Sequence, residues 1–201
     1  MGEKLDFREL AFGLFDKELQ YHVLKHFKEV DEPFMDKLCK SEISTREQME
    51  ERMKRPGSNF NPSWVSNPED LIKALFLKLK AIDPSIEWKN NRCELEIVFD
   101  REEFPEGIGY DNLILQDELT ESERASIVEL ERDAIPLKTI VRTPPPTWET
   151  QLILERDGEE IRTLTIFPGK YAPIFPDPEI QAEEDYLASK TFWETHVMMV
   201  E

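Results

Sequence analysis

The segment RTLTIFPGKYAPIFPDPE, Arg162 to Glu179, constrains this fold more than any other stretch. It opens with strand-like alternation and then brings in Pro168, Pro173, Pro176 and Pro178, none of which has an N–H to give to a ladder. The strand must therefore end at Phe167, and Pro168-Gly169 turns the chain. Tyr171, Pro173, Phe175 and Pro176 then form an extended, low-entropy apolar segment that has to run over the surface. Such a segment either straps a sheet or frames a groove in which aromatic rings contact a ligand.

The sequence before it carries more strand chemistry. Strands are expected over Leu137–Thr143, Glu149–Glu155 and Ile161–Phe167, the first two separated by Pro144–Pro146 and the last two joined by Asp157-Gly158, a type I′ hairpin signal. SIEWKNNRCELEIVF alternates Ile86/Trp88 and Cys93/Leu95/Ile97/Phe99 around Asn90-Asn91 and reads as another hairpin. A short strand is expected from Gly109 through Leu115, and Thr120 with Glu123 forms a capping box for a helix running to about Asp133. After Ile180 the pattern is a short acidic helix followed by a strand-like TFWETHVMMV, whose exposure as an apolar patch would suit a structural component of a larger assembly.

The N-terminal third reads as helical. Phe7, Leu10 and Leu14, then Tyr21, Leu24 and Phe27, recur at helical steps over Leu5–Val30, with Gly13 as a weak point. Asp31 and Pro33 start a second helix through Cys39, and Ser44 with Glu47 supplies a capping box for a charged third. The Pro, Asn and Ser-rich stretch 56–68 reads as a linker pinned by Phe60 and Trp64, after which Asn67-Pro68 starts a helix striped with Leu71, Leu75, Leu79 and Ile82. Helices first and hairpin-linked strands after imply an α+β fold: N-terminal helices followed by a mainly antiparallel sheet of about five or six strands with one intervening helix. The expected organisation is a helical region 1–55, a linker 56–68 and an α+β domain 69–201, packed as one unit.

Charge narrows the function classes. The 201-residue chain has a formal net charge of -18. Residues 1–100 hold 16 Lys+Arg against 20 Asp+Glu, and residues 101–201 hold 9 against 23. Such a field repels phosphate backbones and acidic membrane surfaces and attracts basic proteins, so a basic protein partner is expected and nucleic acid is disfavoured. The absence of a long apolar run and the charged start MGEKLDFREL predict a cytoplasmic protein with no membrane span; Asp6 stands where a myristoylation motif needs Ser or Thr. Cys39 and Cys93 are expected to pack as small hydrophobes in a reducing compartment, with a disulfide between them left open.

Motifs of catalysis and cofactor binding are sparse, and no cofactor is expected. His22 and His26 stand four apart, which on an α-helix puts two imidazoles on one face, but Val23 replaces the glutamate of the zincin pattern and no third ligand follows. Gly107-Ile108-Gly109 lacks the third glycine of a dinucleotide loop, Asn112 standing in its place. The binding candidates are Tyr110, Arg142, Trp148, Arg162, Thr165, Tyr171 and Phe175: the aromatic residues flank the acidic sheet, and a cation kept in so acidic a half either pairs with a carboxylate or binds an anionic ligand.

The runs IGYDNLIL, VRTPPPTWETQLIL and LTIFPGKYAP resemble the C-terminal half of a group of uncharacterised bacterial proteins that end in Thr-x-x-Pro-Gly-x-x-Ala-Pro, matched here by Thr165, Pro168, Gly169, Ala172 and Pro173 over about 109–178. The order of helices and antiparallel strands resembles, more distantly, ribonuclease toxins of the barnase and colicin type. That second resemblance implies an enzyme acting on an anionic substrate; for an enzyme of that fold, or for an unrelated hydrolase, Tyr110, Arg142, Arg162 and Thr165 are the residues expected to converge on one cleft. The charge instead favours an immunity-like or regulatory protein that binds a basic target.

Overall fold

The computed structural model describes residues 3–4, 15–132 and 134–201. The fold is α+β with mainly antiparallel strands, and it divides into two compact units, residues 1–110 with 146–169 and residues 111–145 with 170–201.

Along the chain, β1 (Glu3–Lys4) precedes α1 (Lys17–His22), whose N-cap Asp16 accepts from the Leu19 amide at 2.8 Å. The expected helix positions Phe7, Leu10, Gly13 and Leu14 lie outside the described residues. After His22 the helix tightens into a 3-10 turn, Val23–His26. Asp31 caps α2 (Glu32–Cys39) as the sequence predicts. For α3 (Arg46–Met53) the capping box moves one residue on, to Thr45 and Gln48, because the Gln48 side-chain Oε1 accepts from both the Thr45 amide and the Ser44 hydroxyl at 2.9 Å. In that frame Ser44 becomes a donor to the box instead of its cap.

Asn67 accepts from the Asp70 amide at 3.0 Å and opens α4 (Pro68–Ile82), which ends at Asp83 in the left-handed region ahead of Pro84. Next comes β2 (Ser85–Ile86), which pairs with β1 rather than with β3 (Arg92–Val98). The Asn90-Asn91 turn does form, both residues at positive φ, yet a single Lys89–Arg92 bridge closes it. The strand expected over 109–115 splits into β4 (Gly109–Tyr110) and β5 (Leu113–Leu115), which join different sheets.

The helix expected from Thr120 to Asp133 stops after α5 (Glu121–Arg124), although its Thr120–Glu123 capping box is present. Ser126 turns its amide and hydroxyl back to the Glu123 carbonyl, and β6 (Val128–Leu130) then pairs with β7 (Leu137–Val141). A non-local ladder outweighs the local cap here. The remaining elements are β8 (Pro146–Thr147), β9 (Glu149–Asp157), β10 (Glu160–Pro168), α6 (Glu183–Thr195) and β11 (His196–Val200). Gly158 alone is at positive φ in the β9–β10 turn, which suits type II′; the expected type I′ needs both central residues there.

The strands expected in one sheet divide between the units. The first unit holds the antiparallel sheet β10-β9-β3 and the short pairs β1-β2 and β4-β8. Its core joins the fully buried Leu71, Leu75 and Leu79 of α4 to Leu95 and Ile97 of β3, Leu152 and Leu154 of β9, and Ile166 of β10. Residues 56–68, read as a linker, belong inside this unit. Phe60 is buried, and Asn61 bonds to Ile108 through its amide and to Gly107 through its side chain, each at 3.0 Å. The buried amide groups fix what composition alone reads as loose.

The second unit is the sheet β5-β11-β7-β6, in which β11 runs parallel to β7 and the other pairs are antiparallel. Thr191 to Thr195 belong to α6, not to a strand, and Trp193, Val197, Met198 and Met199 are buried. Trp193, Val197, Met198 and Met199 of TFWETHVMMV thus belong to the core, and the exposed patch that would mark a structural component of an assembly is not formed by them. Cys39 and Cys93 are both free thiols, and among the described residues no helix is long and apolar enough to cross a membrane.

Candidate functional site

The first unit carries Tyr110, Trp148, Arg162 and Thr165. Tyr110 lies opposite Pro146 in the β4-β8 pair, and its amide donates to the Asn59 carbonyl at 2.9 Å. Trp148 donates from Nε1 to the Phe104 carbonyl at 2.6 Å, and the Arg101 guanidinium lies 4.3 Å from its ring centroid. Arg162 stands directly across from Glu155 on β9 and donates to that carboxylate through Nε, at 2.8 Å, and Nη2. The β10 ladder slips between Thr163 and Thr165, and both hydroxyls are buried with no hydrogen-bond partner among the described residues. Thr165 therefore sits in a packed bulge, and Arg162 is occupied by its cross-strand neighbour.

Arg142, Tyr171 and Phe175 belong to the second unit. Arg142 pairs with Glu123 at 3.2 Å, so both arginines anticipated as anion ligands are matched to carboxylates. Residues 170–176 form a strap held down through Ala172, Phe175 and Pro176, with Lys170, Tyr171 and Ile174 exposed. Ala172 and Phe175 join a core with Ile135, Leu137, Trp193 and Met198, the Trp193 Nε1 donates to the Pro173 carbonyl at 3.1 Å, and the Ser189 hydroxyl donates to the Ile174 carbonyl. Phe175 lies 5.3 Å from the Trp193 ring centroid, with the Arg132 guanidinium 5.5 Å from its own. Bonding its carbonyls to α6 side chains suits a segment whose prolines lack N–H donors.

The two histidines are built into the first unit. A 3-10 turn advances about 120° per residue, so the switch after His22 carries His26 away from the face that continued α-helix would give it. Arg52 donates to the His22 carbonyl and to its Nδ1, both at 3.1 Å. Burial, with Lys25 and Arg52 nearby, lowers the His22 pKa to about 4. His26 donates from Nδ1 to the Ser58 carbonyl at 2.7 Å, its Nε2 is buried without a partner among the described residues, and burial holds its pKa well below the ordinary imidazole value. Among the described residues no group of three His, Cys, Asp or Glu side chains gathers as a metal site.

Two features escaped the sequence reading. A cavity of about 300 Å³ is lined by Phe27, Lys28, Glu29, Phe60, Pro62 and Val65, mostly apolar. It has no converging set of catalytic groups. In the second unit Asp111 is raised above the usual carboxylate range, chiefly by burial, while the Leu113 amide and Lys170, 4.0 Å away, pull it back. With 43 Asp and Glu in the chain, no sequence pattern marks this one out.

Comparison of the chain with protein-family models, with curated proteins and with solved structures finds no match.

Proposed function

We propose that this chain is a protein-binding module, regulatory in role, for a basic partner. The observation that carries the reading is the disposition of charge: the anticipated cations are neutralised within the fold, and an excess of carboxylates is left facing solvent. The second unit holds 15 Asp+Glu against 6 Lys+Arg. Among the described residues, Glu129, Glu131, Glu183, Glu184 and Asp185 are exposed and make no ion pair. Complementary fields of this kind speed encounter with a basic surface and discourage acidic ones.

Capture of partners from a lysate by the immobilised protein, at low salt and at ~500 mM salt, tests the reading, because screening at the higher concentration shortens the reach of surface charge to roughly 4 Å. Basic partners released by salt are expected. An empty capture, or one indifferent to salt, overturns it.

A further inference from the structure

The phase of the β3 ladder is fixed at both ends. Arg156 donates its amide to the Asn91 carbonyl and Phe99 donates to the Trp148 carbonyl, each at 2.8 Å, and no register shift intervenes between β3 and β9. In an antiparallel pair alternate residues turn both backbone groups to the same neighbour. Cys93, Leu95 and Ile97 therefore face β9, and Arg92, Glu94, Glu96 and Val98 turn their N–H and C=O groups outward. Lys89 takes both outward groups of Arg92, at 2.8 and 2.9 Å. Those of Glu94, Glu96 and Val98 have no backbone partner among the described residues.

This edge is regular, free of proline and held from one side. Cys93, Leu95 and Ile97 are buried in the core while Glu94 and Glu96 are exposed and Val98 is 53% exposed. The opposite edge of the same sheet, β10, has α1 and the 3-10 turn against it. Exposed edges invite pairing, and charge on them decides with what. An in-phase antiparallel match of two copies of β3 sets Glu96 against Glu96, or Glu94 against Glu96, and like charges directly opposed disfavour it. From Arg92 to Glu103 there are five carboxylates and two arginines, one of which, Arg101, lies over the Trp148 ring. The edge rejects its own copy and suits a cationic strand.

We propose that the outer edge of β3 receives an extended basic segment of a protein partner as an added strand, its backbone pairing with Glu94, Glu96 and Val98 and its Lys or Arg side chains opposite Glu94 and Glu96. This rests on the basic-partner reading and adds the place and the bound conformation.

The test titrates the full chain at low salt with a blocked Lys-Val-Lys-Val-Lys-Val peptide, followed by backbone amide NMR. The controls are the same peptide N-methylated at its lysines and a Glu-Val counterpart. Shifts centred on Glu94, Glu96 and Val98 are expected, with binding weakened about tenfold by the exposed pair Glu94→Gln and Glu96→Gln, and as much or more by N-methylation. The Glu-Val peptide is expected not to bind. Equal binding of the N-methylated peptide, or shifts centred elsewhere, overturns strand addition and leaves the basic-partner reading standing. No binding of the Lys-Val peptide also overturns strand addition, and the salt-dependent capture then decides the broader reading separately.

Discussion

The Nδ1 of His26 lies 2.7 Å from the Ser58 carbonyl oxygen, and its ring packs against Phe60 and Phe167. A carbonyl can only accept, so Nδ1 carries the proton and the buried Nε2 holds a bare lone pair. Protonating Nε2 would place a cation where the described residues offer no acceptor.

Acid should therefore destabilise the first unit. The folded pKa values of His22, about 4, and of His26 lie below the ordinary 6.5, so the folded state resists protons that the unfolded chain accepts. Above pH 6.5 neither state is protonated and the histidines contribute no slope; as pH falls below 6.5, stability is lost, for His22 until about 4. Each histidine adds roughly 1.4 kcal/mol per pH unit inside its window. Denaturant midpoints measured between pH 7.5 and 5 should decline, and His26→Phe should flatten the decline. A level profile in the unaltered protein would refute this account.

Two glycines predict losses of very different size. A Cβ on Gly109 would stand 2.5 Å from the Pro168 Cβ and 2.9 Å from the Asn59 carbonyl oxygen, so Gly109→Ala forces the backbone apart and should lower the melting temperature sharply. A Cβ on Gly158 meets nothing within 4 Å, and only its φ of +62° opposes Ala there. Gly158→Ala should cost about 1 kcal/mol, with Gly158→Asn milder because Asn tolerates that region. Thermal melts of the three variants give the order directly.

Asn67 joins two helix starts. Its side-chain oxygen accepts from the Asp70 amide and its amide nitrogen donates to the Asp31 carboxylate at 2.9 Å, the same residue that caps α2. Asn67→Ala should cost about 0.5–2 kcal/mol, the usual range for a cap, and Asn67→Asp, which keeps the acceptor but faces Asp31 as a like charge, should restore only part of it. Urea unfolding resolves differences of that size.

The strap should loosen before the sheet it covers. Trp193→Phe keeps an aromatic ring and removes the bond to the Pro173 carbonyl, an expected loss of about 1 kcal/mol. Trp193→Ala also removes the surface on which Phe175 rests, and protease cleavage between Lys170 and Pro178 should accelerate far more than in the Phe variant. Equal cleavage of both variants would mean that the ring contact does not hold the strap.

Much of the local structure was legible because its causes lie within a few residues. The Asp31 and Asn67 caps, the Leu71–Leu75–Leu79 stripe, the hairpin at Gly158 and the end of β10, one residue past the expected Phe167 at Pro168, follow from side-chain chemistry, helical period and the missing N–H of proline. Arg142 and Arg162, set among so many carboxylates, had either to find one or to bind an anion. Which of the two happens depends on the residue a ladder sets opposite: Glu155 faces Arg162 only through the β9–β10 register. Tertiary pairing likewise ended the helix after Thr120 in favour of β6 and β7, and it divided the strands of one expected sheet between two units. The open edge of β3 is of this kind too. Its alternation can be read in the residues, but whether a strand lies beside another or faces solvent is a property of the whole chain, since hydrogen-bond partners distant in sequence become neighbours only on folding.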